Sequence, residues 1–293
     1  MAGLGTDHRG QTATSVNSFQ QTLLTNYLRI AVEKSNLVAR QLFEDHTRFY
    51  DGKSTTFTFP KGGSMSATAY VEGTPVTYQD PADSEVTISL DKQYESSLLY
   101  SEFRKRTVSG ALIESDLQQI AYAINKQIDS HILANYSSLT LTTEAATTDT
   151  GDNLYTHVVD AVGKLDIADI PEGNRVLLIH PVLKTRFLNT NKFVSIDYIK
   201  NEYPVKTGLI GELFGIPVYV STNVPATTVS GTTTYHNILA DRSAFGYVMS
   251  IQPKIYGPVK VGQYIGDSLS AIAQYGTGVI NAGRGLTLTC TAT

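Results

Sequence analysis

The chain has 293 residues, of which 41% are hydrophobic and 17% charged, a composition typical of one large folded domain or two smaller ones. Its net charge of −4, from 23 basic and 27 acidic residues, excludes a dedicated nucleic-acid-binding domain, which would be basic overall. The single cysteine, Cys290, excludes an internal disulfide framework and a cysteine zinc cluster. No apolar run approaches the roughly 20 residues that cross a bilayer, so we expect a soluble protein made and kept in a reducing compartment.

After a polar N-terminus without an apolar signal core, the segment from about Val16 to Arg48 has the apolar spacing of an amphipathic helix. The apolar stripe comprises Phe19, Leu23, Tyr27, Ile30, Ala31, Leu37 or Val38, and Leu42. Charged residues fall elsewhere on the helical wheel. The pattern therefore predicts an arm with one apolar face, followed by the turn Asp51-Gly52.

From about Ser54 to Lys105 the pattern changes to that of β-strands, because apolar and polar residues alternate in 56–59 and again in 86–91. The segment between them is rich in Gly, Pro, Thr and Ser. We predict a long β-hairpin with a bend near Lys61-Gly62-Gly63. A two-stranded ribbon is at best marginally stable alone in water, so this one must fold back onto its own domain or lie on a neighbouring molecule. Composition does not decide between the two.

A long helix is predicted from Ser109, as N-cap, to about Tyr136, with Glu114 and Asp116 in the early turns that the helix dipole favours for acids. Its apolar positions are Leu112, Ile113, Leu117, Ile120, Ile124, Ile128 and Ile132. At 1.5 Å per residue such a helix is about 40 Å long, roughly twice the average.

The rest of the chain has a mixed α/β pattern after a Thr-rich linker, Ser137 to Asp152. We predict a helix from about Leu154 to Leu165, a buried strand at 176–179 and a short helix that His180-Pro181 opens. The stretch GELFGIPVYVSTNVP, Gly211 to Pro225, combines a turn, a short strand and a proline stop. Further strands are expected at 237–240, 245–249, 254–256, 259–265, 271–275 and 286–290.

Motifs of known chemistry are weak in this sequence. The six histidines, at positions 8, 46, 131, 157, 180 and 236, form no H-x-H or H-E-x-x-H spacing, and there is no G-x-S-x-G elbow or phosphate-binding G-x-x-x-x-G-K-[ST] loop. The segment Tyr275 to Asn281, YGTGVIN, resembles the start of a dinucleotide loop, but Asn281 replaces the third glycine. We interpret it as a turn between strands. We predict no catalytic, cofactor-binding or metal-binding residues.

Three further features have simple structural interpretations. Asp166 and Asp169 flank a predicted helix end and are expected to be solvated. The cluster at 104–106, Arg-Lys-Arg, is expected to be an exposed face or a set of ion-pair partners, with contact to nucleic acid as the alternative. Cys290 alternates with threonines and is expected to be buried and inert.

The order of these parts resembles the tailed-bacteriophage major capsid protein, the Hong Kong ninety-seven fold. Local matches support it, and they are Leu213 to Val218 (LFGIPV), Asn223-Val224-Pro225, Ala240 to Ala244 (ADRSA) and Tyr275 to Asn281. In the first of these, Gly215 would permit the turn, Pro217 would stiffen the entry to a strand and Pro225 would end it. Each match is weak alone, and their order and spacing carry the resemblance.

The resemblance implies an α+β fold with five parts. These are an N-terminal arm (1–50), an E-loop hairpin (51–106), a peripheral domain with its spine helix and linker (107–150), an axial domain (151–250) and return strands (251–293). In the family the E-loop, and likewise the arm, lie across an adjacent subunit. The arm stripe and the hairpin are then expected to be covered by neighbours.

The resemblance also implies a structural protein and not an enzyme, without cofactors. It would self-assemble as pentamers and hexamers into an icosahedral or elongated shell around a double-stranded DNA genome, in the virion, after assembly in the host cytoplasm. Expected partners are a separate scaffolding protein, a portal, decoration proteins and DNA held without sequence-specific contacts. No membrane is expected.

Alternatives stay open at this point. An encapsulin-type compartment shell would share the fold, whereas an α/β enzyme with an inserted hairpin or another virion protein would not. One member of the fold joins an E-loop lysine to an asparagine of a neighbour in a covalent link. Here Lys61 and Asn281 would be the corresponding pair, although most relatives lack the bond.

Overall fold

The computed structural model describes residues 37–63, 65–76, 78–80, 83–102, 110–141, 144–146, 151–188, 209–260 and 265–292. The predicted arm stripe from Phe19 to Ala31, the basic cluster at 104–106 and the predicted helix cap Ser109 lie outside these residues. In the described part of the chain, no helix is both long and apolar enough to cross a membrane.

The described helices are few and differ in length. They are α1 (Ala39–Leu42), α2 (Gly110–Ala134), α3 (Gly151–Ile167) and α4 (Pro181–Leu188). The last three confirm the predicted long helix, the helix after the linker and the short helix that follows His180. Helix α2 has 25 residues, which at 1.5 Å per residue gives a length of about 37 Å.

The strands of the described residues form three sheets. A four-stranded sheet has the order β1 (Glu44–Asp45), β11 (Phe245–Lys260), β12 (Gly266–Val279) and β4 (Lys92–Ser101). A seven-stranded sheet has the order β5 (Glu144–Ala146), β13 (Gly285–Ala292), β10 (Thr232–Asp241), β6 (Arg175–Ile179), β8 (Ile216–Val220) and β7 (Leu209–Leu213), with β9 (Ala226–Val229) paired to β10. A two-stranded ribbon pairs β2 (Thr56–Lys61) with β3 (Ser84–Ser89).

Helix α2 packs its apolar stripe against the four-stranded sheet. The predicted positions Leu117, Ile120, Ile124, Ile128 and Ile132 are all buried there, in one cluster with alternate residues of β12. A stripe repeating every three or four residues stays on one side of a helix, so local spacing was enough to predict this face. The same cluster includes one face of β6 and β10, so α2 also contacts the seven-stranded sheet.

The seven-stranded sheet is covered on both faces. Its other face packs against α3 through a second apolar cluster that includes Val158, Ala161 and Leu165. Every residue of β6 is buried, as expected for the predicted buried strand. Cys290 points into the second cluster and is buried, which confirms that part of its prediction.

Residues 37–50 differ from the predicted helix. Only Ala39–Leu42 are α-helical, and the chain then extends so that Glu44 and Asp45 pair in parallel with Gly246 and Tyr247 of β11. The stripe residues Leu37, Val38 and Leu42 are buried within their own subunit, so the expectation that they are covered by a neighbour is wrong. Pairing with a strand 200 positions away overrides the local helical period.

The stretch Gly211 to Pro225 is built around a two-residue hairpin between β7 and β8. Phe214 and Gly215 both have positive φ, 53° and 75°, as a tight turn between twisted strands requires. The predicted role of Gly215 is therefore confirmed. The prediction that Pro225 ends the strand is wrong, since β8 ends at Val220 and a turn intervenes.

The two large sheets are joined at one point by two turns. The chain leaves β10 through Asp241–Phe245 and returns to β13 after Val279. The backbone N–H groups of Ile280 and Asn281 both donate to the carbonyl of Ala244, at 2.8 and 3.2 Å. The Asn281 side chain donates to the carbonyl of Ser243 at 3.0 Å. Two of the family-like motifs, ADRSA and YGTGVIN, thus meet at this junction.

Candidate functional site

The base of the ribbon is packed onto its own subunit. Phe57 pairs with Ile88 across β2 and β3, and this face meets Leu90 and the fully buried Val248 of β11. Phe59, on the same face, stacks on the ring of His46 with 5.2 Å between centroids. The alternating strands predicted from sequence are confirmed, and their apolar face is covered at this end.

Two glycines of β12 let the ribbon approach the sheet closely. A Cβ at Gly276 would overlap the carbonyl oxygen of Ser89 and lie 2.9 Å from Cγ2 of Ile88. A Cβ at Gly278 would lie 3.2 Å from Cγ1 of Ile88. The interpretation of Tyr275–Gly278 as a turn is therefore wrong, because these residues lie inside a strand whose glycines make room for the ribbon.

The outer part of the ribbon extends well beyond this base. Its two sides are joined by two hydrogen bonds between the Ser66 backbone and the Gln79 side chain. The Ser66 N–H donates to the Gln79 Oε1 at 3.1 Å, and the Gln79 amide donates to the Ser66 carbonyl at 2.7 Å. The chain reverses at a turn closed by Thr74 N–H donating to the Val71 carbonyl at 3.2 Å. The predicted bend at Lys61-Gly62-Gly63 is wrong, since the reversal lies about ten residues further on.

The ribbon tip, defined here as residues 65–78 without the undescribed position 77, is apolar and exposed. Its large exposed side chains are Met65, Tyr70, Val71, Val76 and Tyr78, with Tyr78 as much as 93% accessible. Clusters of exposed apolar side chains of this kind mark interaction sites in soluble proteins. The tip is therefore the first candidate contact surface of the subunit.

A second candidate is the outer face of the four-stranded sheet, opposite α2. Residues paired across β4, β12 and β11 share this face, in rows such as Glu95, Ile272 and Lys254, and then Ser97, Ser270 and Tyr256. Leu99, Tyr256 and Val259 are 37–56% exposed on it. A groove of about 380 Å³ runs along this region and is lined by Gln93, Tyr94, Glu95, Ile251, Ile272 and Gln274 among others.

The described histidines make structural contacts. His131 of α2 lies 2.7 Å from the Tyr275 hydroxyl, His180 stacks on Tyr235, and His236 stacks on Tyr136. Burial lowers the pKa of all three imidazoles, helped at His131 by the positive charge of Lys92. Among the described residues, no three His, Cys, Asp or Glu side chains lie close enough together to hold a metal ion.

The acidic pair at the end of α3 is divided between two roles. Asp166 is an ion-pair partner and not merely solvated, since its Oδ1 lies 2.6 Å from the buried guanidinium of Arg175. Arg175 also donates to the carbonyl of Ile170. Asp169 adopts a positive φ of 53° in the turn that follows the helix. Sequence spacing could not show the ion pair, because nothing marked Arg175 as buried.

The sequence matches a known protein family over most of its length. Residues 102–279, more than half of the chain, match the family described as phage capsid protein. The chain belongs to this family. It is a structural protein of the virion capsid, as the resemblance in the sequence implied. No curated protein matches the sequence significantly.

Solved structures share the fold at low sequence identity. A protein of Mycobacterium phage Che8 is 18% identical, with a TM-score of 0.67 over 86% of this chain and 90% of that one. The capsid protein of cyanophage P-SCSP1u is 18% identical, with a TM-score of 0.68 over 84% and 86%. The capsid of an empty GTA particle is 13% identical, with a TM-score of 0.64 over 88% and 91%. The predicted α+β phage capsid fold is confirmed.

Proposed function

We propose that this protein is a major capsid protein that self-assembles, through its N-terminal arm and its ribbon, into an icosahedral or elongated shell around double-stranded DNA. The observation that carries the proposal is the ribbon tip, which projects beyond its anchored base with its apolar side chains in solvent. Such a surface gains stability when another molecule covers it. In an assembly of identical chains that molecule is the next subunit.

The outer face of the four-stranded sheet is a suitable receiving surface. It offers an aliphatic and aromatic floor at Ile272, Tyr256 and Val259, and Glu95 and Lys254 lie at opposite ends of one row. The base of the ribbon covers only the near half of this face, at Val248 and the β12 glycines. We propose that the ribbon tip of a neighbouring subunit covers the distal half.

The family division of the chain remains a proposal in the ranges predicted from sequence. In it, α2 and the four-stranded sheet form the peripheral domain, and the seven-stranded sheet with α3 and α4 forms the axial domain. Strand β4 lies in range 51–106 but pairs with β12, so the hairpin range contributes one strand to the peripheral sheet. Strands β11 and β12 return to that sheet, and β13 returns to the axial one.

Negative-stain microscopy and size-exclusion chromatography of the purified chain test the proposal. We expect closed shells or capsomers for the wild type, and loss of the large species for the double variant Tyr70→Ser/Tyr78→Ser. Ile167→Ser is the matched control, since Ile167 is also highly exposed but lies at the end of α3. A wild-type chain that stays monomeric under all assembly conditions, including co-expression with scaffolding protein, would contradict the proposal.

Two alternatives are tested by the same preparation. An encapsulin-type shell would form closed particles that contain a cargo protein and no DNA. An α/β enzyme with an inserted hairpin would be a compact monomer or small oligomer. The proposed partners are a scaffolding protein, a portal, decoration proteins and packaged DNA, and assembly is proposed to take place in the host cytoplasm. Mass spectrometry of purified particles would identify the protein partners, and nuclease treatment would detect the DNA.

A further inference from the structure

One buried carboxylate joins three separate parts of the subunit. Asp129 lies on α2 and is fully buried. Its Oδ1 accepts a hydrogen bond from the backbone N–H of Ala39 at 2.7 Å. Its Oδ2 accepts a hydrogen bond from the side-chain amide of Asn223 at 2.9 Å.

The two partners come from distant regions of the chain. Ala39 is the first residue of α1, directly after the point where residues 1–36 join the described body. Asn223 lies in the turn between β8 and β9 of the seven-stranded sheet, and its own N–H donates to the Ser221 hydroxyl at 3.2 Å. The family-like segment Asn223-Val224-Pro225 therefore reaches the long helix through the Asn223 side chain.

Further contacts hold the residues that follow Ala39 against the body of the subunit. The Arg40 guanidinium donates to Oδ1 of the buried Asn125, one turn before Asp129, at 3.1 Å. The Arg40 carbonyl accepts a hydrogen bond from the Tyr247 hydroxyl of β11 at 3.2 Å. The following Phe43 packs edge-on against Phe245, with ring centroids 4.8 Å apart. These contacts hold residues 40–43 against α2 and β11.

A buried carboxylate is a costly way to fill this space. Its loss of hydration is the largest influence on Asp129 and raises the pKa of this carboxyl, against the lowering effect of its hydrogen bonds. An apolar side chain of similar size would avoid that cost but could not accept a hydrogen bond from Ala39, the first residue of α1. The chemistry of Asp129 is therefore suited to orienting backbone, and not to maximal stability.

We propose that Asp129 is a positioning residue for assembly, which fixes residues 37–43, the root of the arm, on the body of the subunit. This rests on the proposed function, in which the arm lies across a neighbouring subunit. Asp129 need not touch that neighbour. It ties the root of the arm to α2 and, through Asn223, to the seven-stranded sheet.

Limited trypsin digestion of the unassembled subunit tests the anchor itself. Arg40 lies inside the anchored helix, whereas Arg48 lies in an exposed turn and serves as an internal reference. We expect Asp129→Ala to raise cleavage after Arg40, relative to Arg48, by about tenfold or more, since each tenfold corresponds to about 1.4 kcal/mol of lost protection. For Asp129→Asn, which keeps one carbonyl acceptor, we expect a cleavage rate after Arg40 between those of the wild type and Asp129→Ala.

Two further variants keep the test clear if Asp129→Ala unfolds. Asn223→Asp places a second carboxylate against Asp129 without changing α2. This variant should also raise the rate of cleavage after Arg40. Asp116→Ala, on the same helix but bonded to the Tyr100 hydroxyl, should leave cleavage after Arg40 unchanged. Unchanged protection in both Asp129→Asn and Asn223→Asp would overturn the proposed anchor.

Microscopy then connects the anchor to assembly. We expect the variants that are cleaved more rapidly after Arg40 to fold cooperatively but to give few closed shells. Normal shells from those variants would overturn the positioning role while leaving the proposed function intact. Failure of the wild type to assemble would instead count against the proposed function, and the digestion result would still decide whether Asp129 holds the root.

Discussion

The side chain of Ile88, on the ribbon, lies against the backbone of Gly276, on the four-stranded sheet, so closely that position 276 has no room for a Cβ atom. This contact sets the distance between the ribbon base and the body of the subunit. Among the described residues of β2 and β3, those at this end pack against the sheet, so the contact also orients the exposed tip. In the proposed assembly, the direction of the tip would decide which surface of a neighbour it can reach.

The substitution Gly276→Ala should disturb this contact. The added methyl group must displace Ile88 or the Ser89 carbonyl, and overpacking of this kind costs about 1–3 kcal/mol. We expect a lower free energy of unfolding in urea and fewer closed shells. The control is Gly163→Ala in the middle of α3, where a Cβ meets nothing within 4 Å. That variant should gain about 0.5–1 kcal/mol, and a loss there would show that glycine replacement itself is harmful.

Removal of the Asp166 carboxylate should leave the buried Arg175 without its ion-pair partner. Asp166 is itself half-exposed, so water replaces part of the interaction. We expect Asp166→Ala to lower the free energy of unfolding by about 1–3 kcal/mol. Asp160→Ala, on the exposed side of the same helix, should change it little. Equal effects of the two variants in urea denaturation would contradict the structural role of the ion pair.

The histidine between α2 and the four-stranded sheet should make the subunit sensitive to acid. The pKa of His131 is lowered by burial and by Lys92, with Asp91 opposing, so the unfolded chain takes up this proton at higher pH than the folded subunit. The stabilisation is fully present above the ordinary value of about 6.5 and is lost as pH falls through the folded value. The partly buried His180 and His236, whose pKa values are also lowered by burial, act in the same direction.

Urea denaturation of the unassembled subunit between pH 5 and 8 would measure this effect. The free energy of unfolding should fall with acidification, and His131→Gln should reduce the slope by at most about 1.4 kcal/mol per pH unit, the value for one proton. Asn135→Ala, which removes a hydrogen bond to Thr277 at the end of α2 but no titrating group, should shift the curve without changing its slope. An unchanged slope in His131→Gln would refute the assignment.

Assembled particles should give a single monomer band in denaturing electrophoresis. The Asn281 amide already donates to the Ser243 carbonyl at the junction of the sheets, which occupies the group that a link to Lys61 would consume. The double variant Lys61→Arg/Asn281→Ala serves as a comparison that cannot form such a link. A ladder of higher-mass bands in the wild type, absent from this variant, would establish the covalent bond.

The elements that were predicted well are those set by local spacing. The stripe of α2 and the alternation of β2 and β3 depend only on the period of apolar residues, so each could be identified without its partner. The root of the arm was misjudged because residues 44 and 45 pair with β11, and no local pattern indicates a partner so far along the chain. Gly276 and Gly278 of β12 were misjudged for the same reason, since their distant neighbours Ile88 and Ser89 explain them.

The residues of the candidate sites were only partly accessible to sequence analysis. The hairpin was expected to need a covering surface, and its apolar tip is exposed as that argument requires. The receiving face on the four-stranded sheet could not be foreseen, because it depends on the registers of three strands. Asp129 gave no signal at all, since an acid within a helix usually faces water, and its partners lie 90 and 94 positions away.

The two turns that join the large sheets have a mechanical consequence. Because the backbone passes between the sheets at 241–245 and again at 279–285, a force pulling them apart there acts along covalent bonds. Without these connections, side-chain contacts between the two sheets would have to resist the force. Each subunit should therefore stretch as one stiff plate, and a shell under tension should yield first at the ribbons and arms between the plates.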